Sequence, residues 1–125
     1  MSVLVIFSVD VRRLASFYER VLEATAVTES SGDIRLLSAL DEVLIHSIPE
    51  KVAAGISISS PPVPRDDAAL KPVFDVRSLS STLQRVEANG GVVTSRTFRF
   101  NGLTRHDVLD PDGNVIQLRS PAADS

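Results

Sequence analysis

Residues 110 to 118 read "DPDGNVIQL", a turn that runs into a strand. Proline at 111 presets one backbone angle, and Gly113 can enter the left-handed region that a tight reversal needs. Beyond the turn, Val115, Ile116 and Leu118 are apolar while Gln117 and Arg119 are polar, a strand with one mixed face. The strand before it, "LTRHDVL" at 103 to 109, is bounded at its other end by Asn101-Gly102, a second turn signal.

Further out the pattern repeats. "SVLVIFSV" at 2 to 9 reads as a buried strand, apolar on both faces. Asp10 suits a helix N-cap, and Leu14, Phe17, Tyr18, Val21 and Leu22 then form one apolar helical stripe. Three short strands are expected at 24–29, 33–39 and 42–48. The second half begins again with a strand at 71–76. A helix capped near Ser78 follows, carrying Leu79, Leu83 and Val86 and stopping at Gly90-Gly91. Strands at 92–97, 103–109 and 114–119 complete it.

Three short matches support an internal repeat. "FSV" at 7–9 answers "FDV" at 74–76, "ERV" at 19–21 answers "QRV" at 84–86, and "AVT" at 26–28 answers "VVT" at 92–94, at offsets of 65 to 67. The expected organisation is one domain over 1–125: module one at about 2–48, a linker at about 49–68 and module two at about 69–120. "PPVPRDD" inside the linker cannot be a central strand, because each proline removes a backbone donor, whereas "AGISIS" at 54–59 could form an edge strand.

Bulk composition excludes several classes. A chain of 125 residues, 43% hydrophobic, can bury a core. The net charge of −3 and the scattered basic residues argue against nucleic acid or an anionic membrane as partner. With no cysteine there is no disulfide, thiolate catalysis or cysteine zinc site. No apolar run approaches the roughly 20 residues of a membrane span, and the first residues lack a signal-type pattern. A cytoplasmic location is the default expectation.

"SFYERVL" at 16–22 after the first strand, "DPDGNVIQL" near the end and the doubled unit between them resemble the vicinal oxygen chelate superfamily. This is the group of glyoxalase I, the bleomycin-resistance proteins and the extradiol dioxygenases. The resemblance covers roughly residues 2–120. It implies an α+β fold of two βαβββ modules whose curved mixed sheets surround a cleft, commonly completed by homodimerisation. The family's usual "VLG" after the helical aromatic pair is here Val21-Leu22-Glu23.

The resemblance also implies where a divalent metal would bind: a histidine opening the first strand, another opening the fifth, and a glutamate on the last. Those positions carry Val3, Lys71 and Gln117. Valine has no donor atom, a protonated lysine has no lone pair, and a glutamine amide brings no charge. The expectation is therefore a small-molecule binding protein without the usual metal or any other cofactor. Its candidate ligand-binding residues are Arg35, His46, Phe98, Phe100, His106, Gln117 and Arg119. Gln117 should share the ligand face, because Ile116 and Leu118 suit the helix-packed face.

The alternative is a metal-dependent lyase, isomerase or dioxygenase with a noncanonical site built from His46 and His106 with Asp107 or Gln117. A metal-free enzyme with either histidine as general base is a variant of it. The ordinary roles compete: a hydrogen-bonded or surface histidine, a solvated strand end for Arg35 and Arg119, packing for Phe98 and Phe100. A purely structural, partner-binding domain is the third reading.

Overall fold

The computed structural model describes residues 2–65 and 69–121. Its elements in chain order are β1 (Val3–Ser8), α1 (Val11–Val21), β2 (Thr25–Thr28), β3 (Ile34–Leu37), β4 (Glu42–Ser47), α2 (Glu50–Ala53), β5 (Val73–Asp75), α3 (Leu79–Ala88), β6 (Val92–Phe100), β7 (Leu103–Leu109) and β8 (Val115–Pro121). The fold is α+β, and βαβββ occurs twice. Two compact units result, Met1–Ile58 and Ser59–Ser125. Among the described residues no helix is long and apolar enough to cross a membrane.

Each unit holds one four-stranded mixed sheet, ordered β1-β4-β3-β2 in the first and β5-β8-β7-β6 in the second. The first strand of each pairs parallel with the last, and the remaining pairs are antiparallel. A helix packs on one face of each sheet. Leu14, Phe17, Tyr18 and Val21 of α1 are buried with Leu36, Val43 and Ile45. On α3 the buried residues are Leu79, Thr82 and Val86, joined by Phe74, Val108, Ile116 and Leu118. Thr82 takes the place expected of the half-buried Leu83, because its hydroxyl is satisfied within the helix by donating to the Ser78 carbonyl at 2.7 Å.

Both N-caps are where the residue types place them. The Asp10 carboxylate accepts from the Arg13 N–H at 3.1 Å, and the Ser78 hydroxyl accepts from the Ser81 N–H at 3.4 Å. These caps lie 68 positions apart, so the modules superimpose at an offset of 68 here rather than the 67 suggested by "FSV" and "FDV". The difference matters because one residue flips a strand's faces. Phe74 is buried beside α3 and corresponds to Ile6, whereas Phe7 is 56% exposed on the opposite face. With it, Val3 and Val5 are also exposed, so β1 is an edge strand with an uncovered apolar face, not a strand buried on both sides.

Two further expectations are corrected. Residues 54–59 form no strand; a short helix, Glu50–Ala53, precedes them instead. Strand β6 runs on to Phe100, because β7 pairs with it residue by residue up to the Asn101-Gly102 turn, where both residues have positive φ. The "VLG" departure is locally felt: Glu23 sits at φ 52, a left-handed conformation that glycine adopts more cheaply.

The β7–β8 connection is held by one carboxylate. Asp110 is fully buried, and its Oδ1 accepts from the backbone N–H groups of Asp112 and Asn114 at 3.0 and 2.9 Å. Its Oδ2 accepts from the Asn114 side-chain amide at 2.8 Å. Gly113, at φ 87, closes the turn with its N–H on the Asp110 carbonyl. A Cβ there would stand 2.3 Å from the Val63 carbonyl oxygen.

Gly113→Ala and Gly32→Ala separate the two demands on glycine. Gly32 has φ 93 with nothing near its missing Cβ, so alanine should cost only the left-handed penalty of about 1 kcal/mol. Gly113→Ala should cost about 1–3 kcal/mol more, because the chain at Val63 must move. Equal losses in urea denaturation would show that the Val63 contact is unimportant.

Candidate functional site

On the second sheet, register decides which side chains meet. Strand pairs put Asp75, Arg119, Arg105 and Phe98 in one row across β5, β8, β7 and β6. The next row holds Val73, Gln117 and Asp107. Phe100 and Leu103 form the row on the other side. All these residues share the face opposite the one that carries Ile116, Leu118 and Val108. Sequence alternation therefore places Gln117 correctly, on the face away from α3.

At the centre lies Asp107, 1% exposed. Its Oδ2 takes the Lys71 ammonium at 3.1 Å, and the Arg96 Nε approaches the same oxygen at 3.8 Å. Its Oδ1 accepts from the Gln117 side-chain amide at 3.1 Å. Gln117, only 4% exposed, in turn accepts on Oε1 from Arg105 Nη1 at 3.1 Å. The guanidinium of Arg105 lies 5.7 Å from the centroid of the Phe100 ring. A bulge makes this possible: three residues of β6, Thr94 to Arg96, stand opposite the single Asp107. Thr94 Oγ1 then donates to the Asp107 carbonyl at 2.6 Å, while Arg96 reaches the carboxylate.

This network explains the identity of residue 117. The position faces a buried carboxylate on one side and a guanidinium on the other. An amide can donate to the first and accept from the second; a carboxylate can only accept. Lys71 is engaged as a donor to Asp107, and Gln117 Oε1 is engaged by Arg105. Val3, on β1 of the other unit, carries no donor. Among the described residues no three His, Cys, Asp or Glu side chains come together as a metal-binding group.

The first sheet carries a different set at the equivalent places. With the modules aligned by their caps, Val3 corresponds to Lys71 and Val5 to Val73. Val5 pairs with Leu44, and Leu44 with Arg35, where the second module has Val73, Gln117 and Asp107. Next to them His46 Nδ1 meets Asp33 Oδ2 at 2.5 Å, and the Phe7 ring stands edge-on to the imidazole at 5.2 Å. Asp33 also accepts from the Ser47 N–H at 3.3 Å. The hydrogen bond from His46 outweighs the opposing effect of burial and, with the Ser47 N–H, holds the carboxyl below the usual range. Arg35 is ion-paired with Glu29 at 2.9 Å.

Of the residues singled out in the sequence, Phe98, Phe100, Gln117 and Arg119 come together on one sheet face. Arg119 is paired with Asp75 there through Nε at 2.5 Å, which raises its pKa further. Arg35 and His46 lie in the other unit. His106 points to the opposite face of β7, where its Nε2 meets the Thr94 carbonyl at 2.6 Å. Sequence reasoning passed over Arg105 and treated Asp107 only as an accessory ligand. The hairpin held the clue: residues equidistant from Asp112 pair, so Asp107 must meet Gln117 and Arg105 must meet Arg119.

Two outcomes follow from these contacts. Gln117→Glu should destabilise the protein at neutral pH by about 2 kcal/mol, because it removes the donor to a buried carboxylate and adds a like charge. Combined with Asp107→Asn, the effects should fail to add by about 1 kcal/mol or more; strict additivity would mean that the two side chains do not interact. On the first sheet, Asp33 has a depressed folded pKa, so its contribution is complete above the ordinary carboxylate value of about 4 and is lost as the pH falls through the folded value. The stability gap between the native protein and a His46→Leu variant should therefore close on acidification. A gap that persists in acid would deny the Asp33 linkage.

A family profile describing the Glyoxalase/Bleomycin resistance protein/Dioxygenase superfamily matches residues 1–118. No curated protein matches the chain. Among solved structures, the chain is similar to a glyoxalase/bleomycin resistance protein/dioxygenase family enzyme from Burkholderia phytofirmans, at 17% identity and TM-score 0.72, over 96% of this chain and 97% of that one. It is also similar to the fosfomycin resistance protein FosX from Listeria monocytogenes, at 14% identity and TM-score 0.70, over 98% and 93% of the two chains. A glyoxalase/bleomycin resistance protein from Albidiferax ferrireducens shares 20% identity at TM-score 0.69, over 96% and 97%. At such identities the structural likeness speaks for the fold. With the profile spanning nearly its whole length, the chain belongs to the glyoxalase/bleomycin resistance protein/dioxygenase superfamily.

Proposed function

We propose that this protein binds a small organic molecule on the open face of its second sheet and does so without the family's usual metal. The observation that carries this reading is the closed network around Asp107. The lysine and glutamine at two of the expected ligand positions are committed to that carboxylate and to Arg105, and valine stands at the third. A divalent ion entering there would have to displace an ammonium and meet a single carboxylate, a poor exchange for its hydration shell. Around the network, exposed Phe98, Phe100 and Val73 supply apolar surface beside a few directed polar groups, the usual make-up of a small-molecule site.

The functional unit in this reading is a homodimer. Val3, Val5 and Phe7 leave an apolar strip on an edge strand that a second copy would shield.

Protein purified without chelator tests all parts at once. It should contain no stoichiometric divalent metal, sediment as a dimer at micromolar concentration, and gain thermal stability with a subset of small ligands. A ligand at 100 times its dissociation constant stabilises by about 2.7 kcal/mol, which a thermal shift resolves. Stoichiometric metal that is lost together with a lyase or dioxygenase activity on Gln117→Ala would replace this reading with the catalytic one.

A further inference from the structure

We infer that the ligand is a planar or aromatic monoanion, held by Arg105 with its ring against Phe98 and Phe100; this rests on the binding reading above. The charge pattern of the face leads there. Lys71, Arg96, Arg105 and Arg119 are its cations on and beside the second sheet, and Asp75 and Asp107 are its carboxylates. Lys71 and Arg96 share Asp107, and Arg119 is matched by Asp75. Arg105 has no carboxylate partner among the described residues. Its one hydrogen bond is to a neutral amide oxygen, and its Nε is buried without an acceptor. This surplus of positive charge is local, because the chain as a whole carries −3.

An unmatched guanidinium that is also half-buried loses hydration without gaining a counter-charge, and an anionic oxygen at its free Nη2 edge would restore the balance. Arg105 is held ready for it. Gln117 grips one nitrogen and the Phe100 ring supports one face, so little side-chain entropy remains to be lost on binding.

The body of the ligand is set by what surrounds that charge. Phe98 stands directly opposite Arg105 across the β6–β7 pair, and Phe100 is two residues further on the same face. They are 42% and 58% exposed, and alternate residues of a strand are about 6.5–7 Å apart. The two rings thus present a strip of roughly the breadth of a bicyclic ring system, beginning at the guanidinium. A polyphosphate would leave the flat apolar strip unused, and a long flexible apolar chain would leave the Arg105 guanidinium unmatched.

Protein-observed NMR and calorimetry with three matched probes decide the matter: 2-naphthoate, its uncharged primary amide 2-naphthamide, and the non-aromatic cyclohexanecarboxylate. Naphthoate should bind at least about tenfold more tightly than either of the others, a difference of about 1.4 kcal/mol. Its binding should shift the Phe98 and Phe100 ring resonances. Arg105→Met should abolish the preference for acid over amide, and Phe98→Ser the preference for naphthoate over cyclohexanecarboxylate. Should Arg105→Met fail to fold, weakening of naphthoate but not naphthamide by raised salt on the native protein reads out the same charge contact. Equal affinity for acid and amide, or shifts confined to other residues, overturns the assignment of ligand class while leaving small-molecule binding intact. If no probe of any charge binds and Phe98→Ser instead dissociates a dimer, the strip is a subunit contact and the binding reading falls with it.

Discussion

The second module depends on one buried carboxylate in a turn. Asp110 gathers two backbone N–H groups and the Asn114 amide, and so fixes where β7 ends and β8 begins. A hairpin whose turn is fixed has a fixed register, and in a two-sided sheet a slip of one residue would exchange the faces. Ile116 and Leu118 would then face away from α3, and Gln117 would enter the core. The pairing of Asp107 with Gln117 and of Arg105 with Arg119 is thus a consequence of a turn several residues away.

On that frame the chemistry of the face is an exchange of charge for charge. Asp107 is deeply buried, yet each of its oxygens has a donor: Lys71 on one, with the Arg96 charge nearby, and the Gln117 amide on the other. A buried carboxylate is tolerable only under such complete satisfaction. Gln117 is the hinge of the arrangement because it alone can serve an acceptor and a donor at once. The same logic leaves Arg105 as the unbalanced member, since its partner is neutral.

The two modules share topology and caps but not face chemistry. Where the second has Lys71, Gln117 and Asp107, the first has Val3, Leu44 and Arg35, with His46 and Asp33 one row away. Duplicated folding rules therefore coexist with divergent open faces. The helix-packed faces remain alike because both must bury a helix's apolar stripe, whereas nothing in the packing dictates the residues on the other side.

Sequence alone was enough for the architecture. Periodicity, the capping residues Asp10 and Ser78, and the glycine-bearing turns at 101–102 and 110–113 mark the elements, because these depend on nearest neighbours along the chain. The resemblance carried by "SFYERVL" and "DPDGNVIQL" extended this to the family. Alternation also oriented Gln117. What it could not reach was pairing between strands: that Gln117 touches Asp107 and Arg105, that a bulge brings Arg96 to the same carboxylate, and that His46 finds Asp33 while His106 turns away. Nor could it tell that β1 is exposed on one face, since an apolar edge strand and a central one read alike in a linear pattern. Those facts belong to tertiary structure because each is a meeting of residues from different strands, and register, not composition, decides who meets.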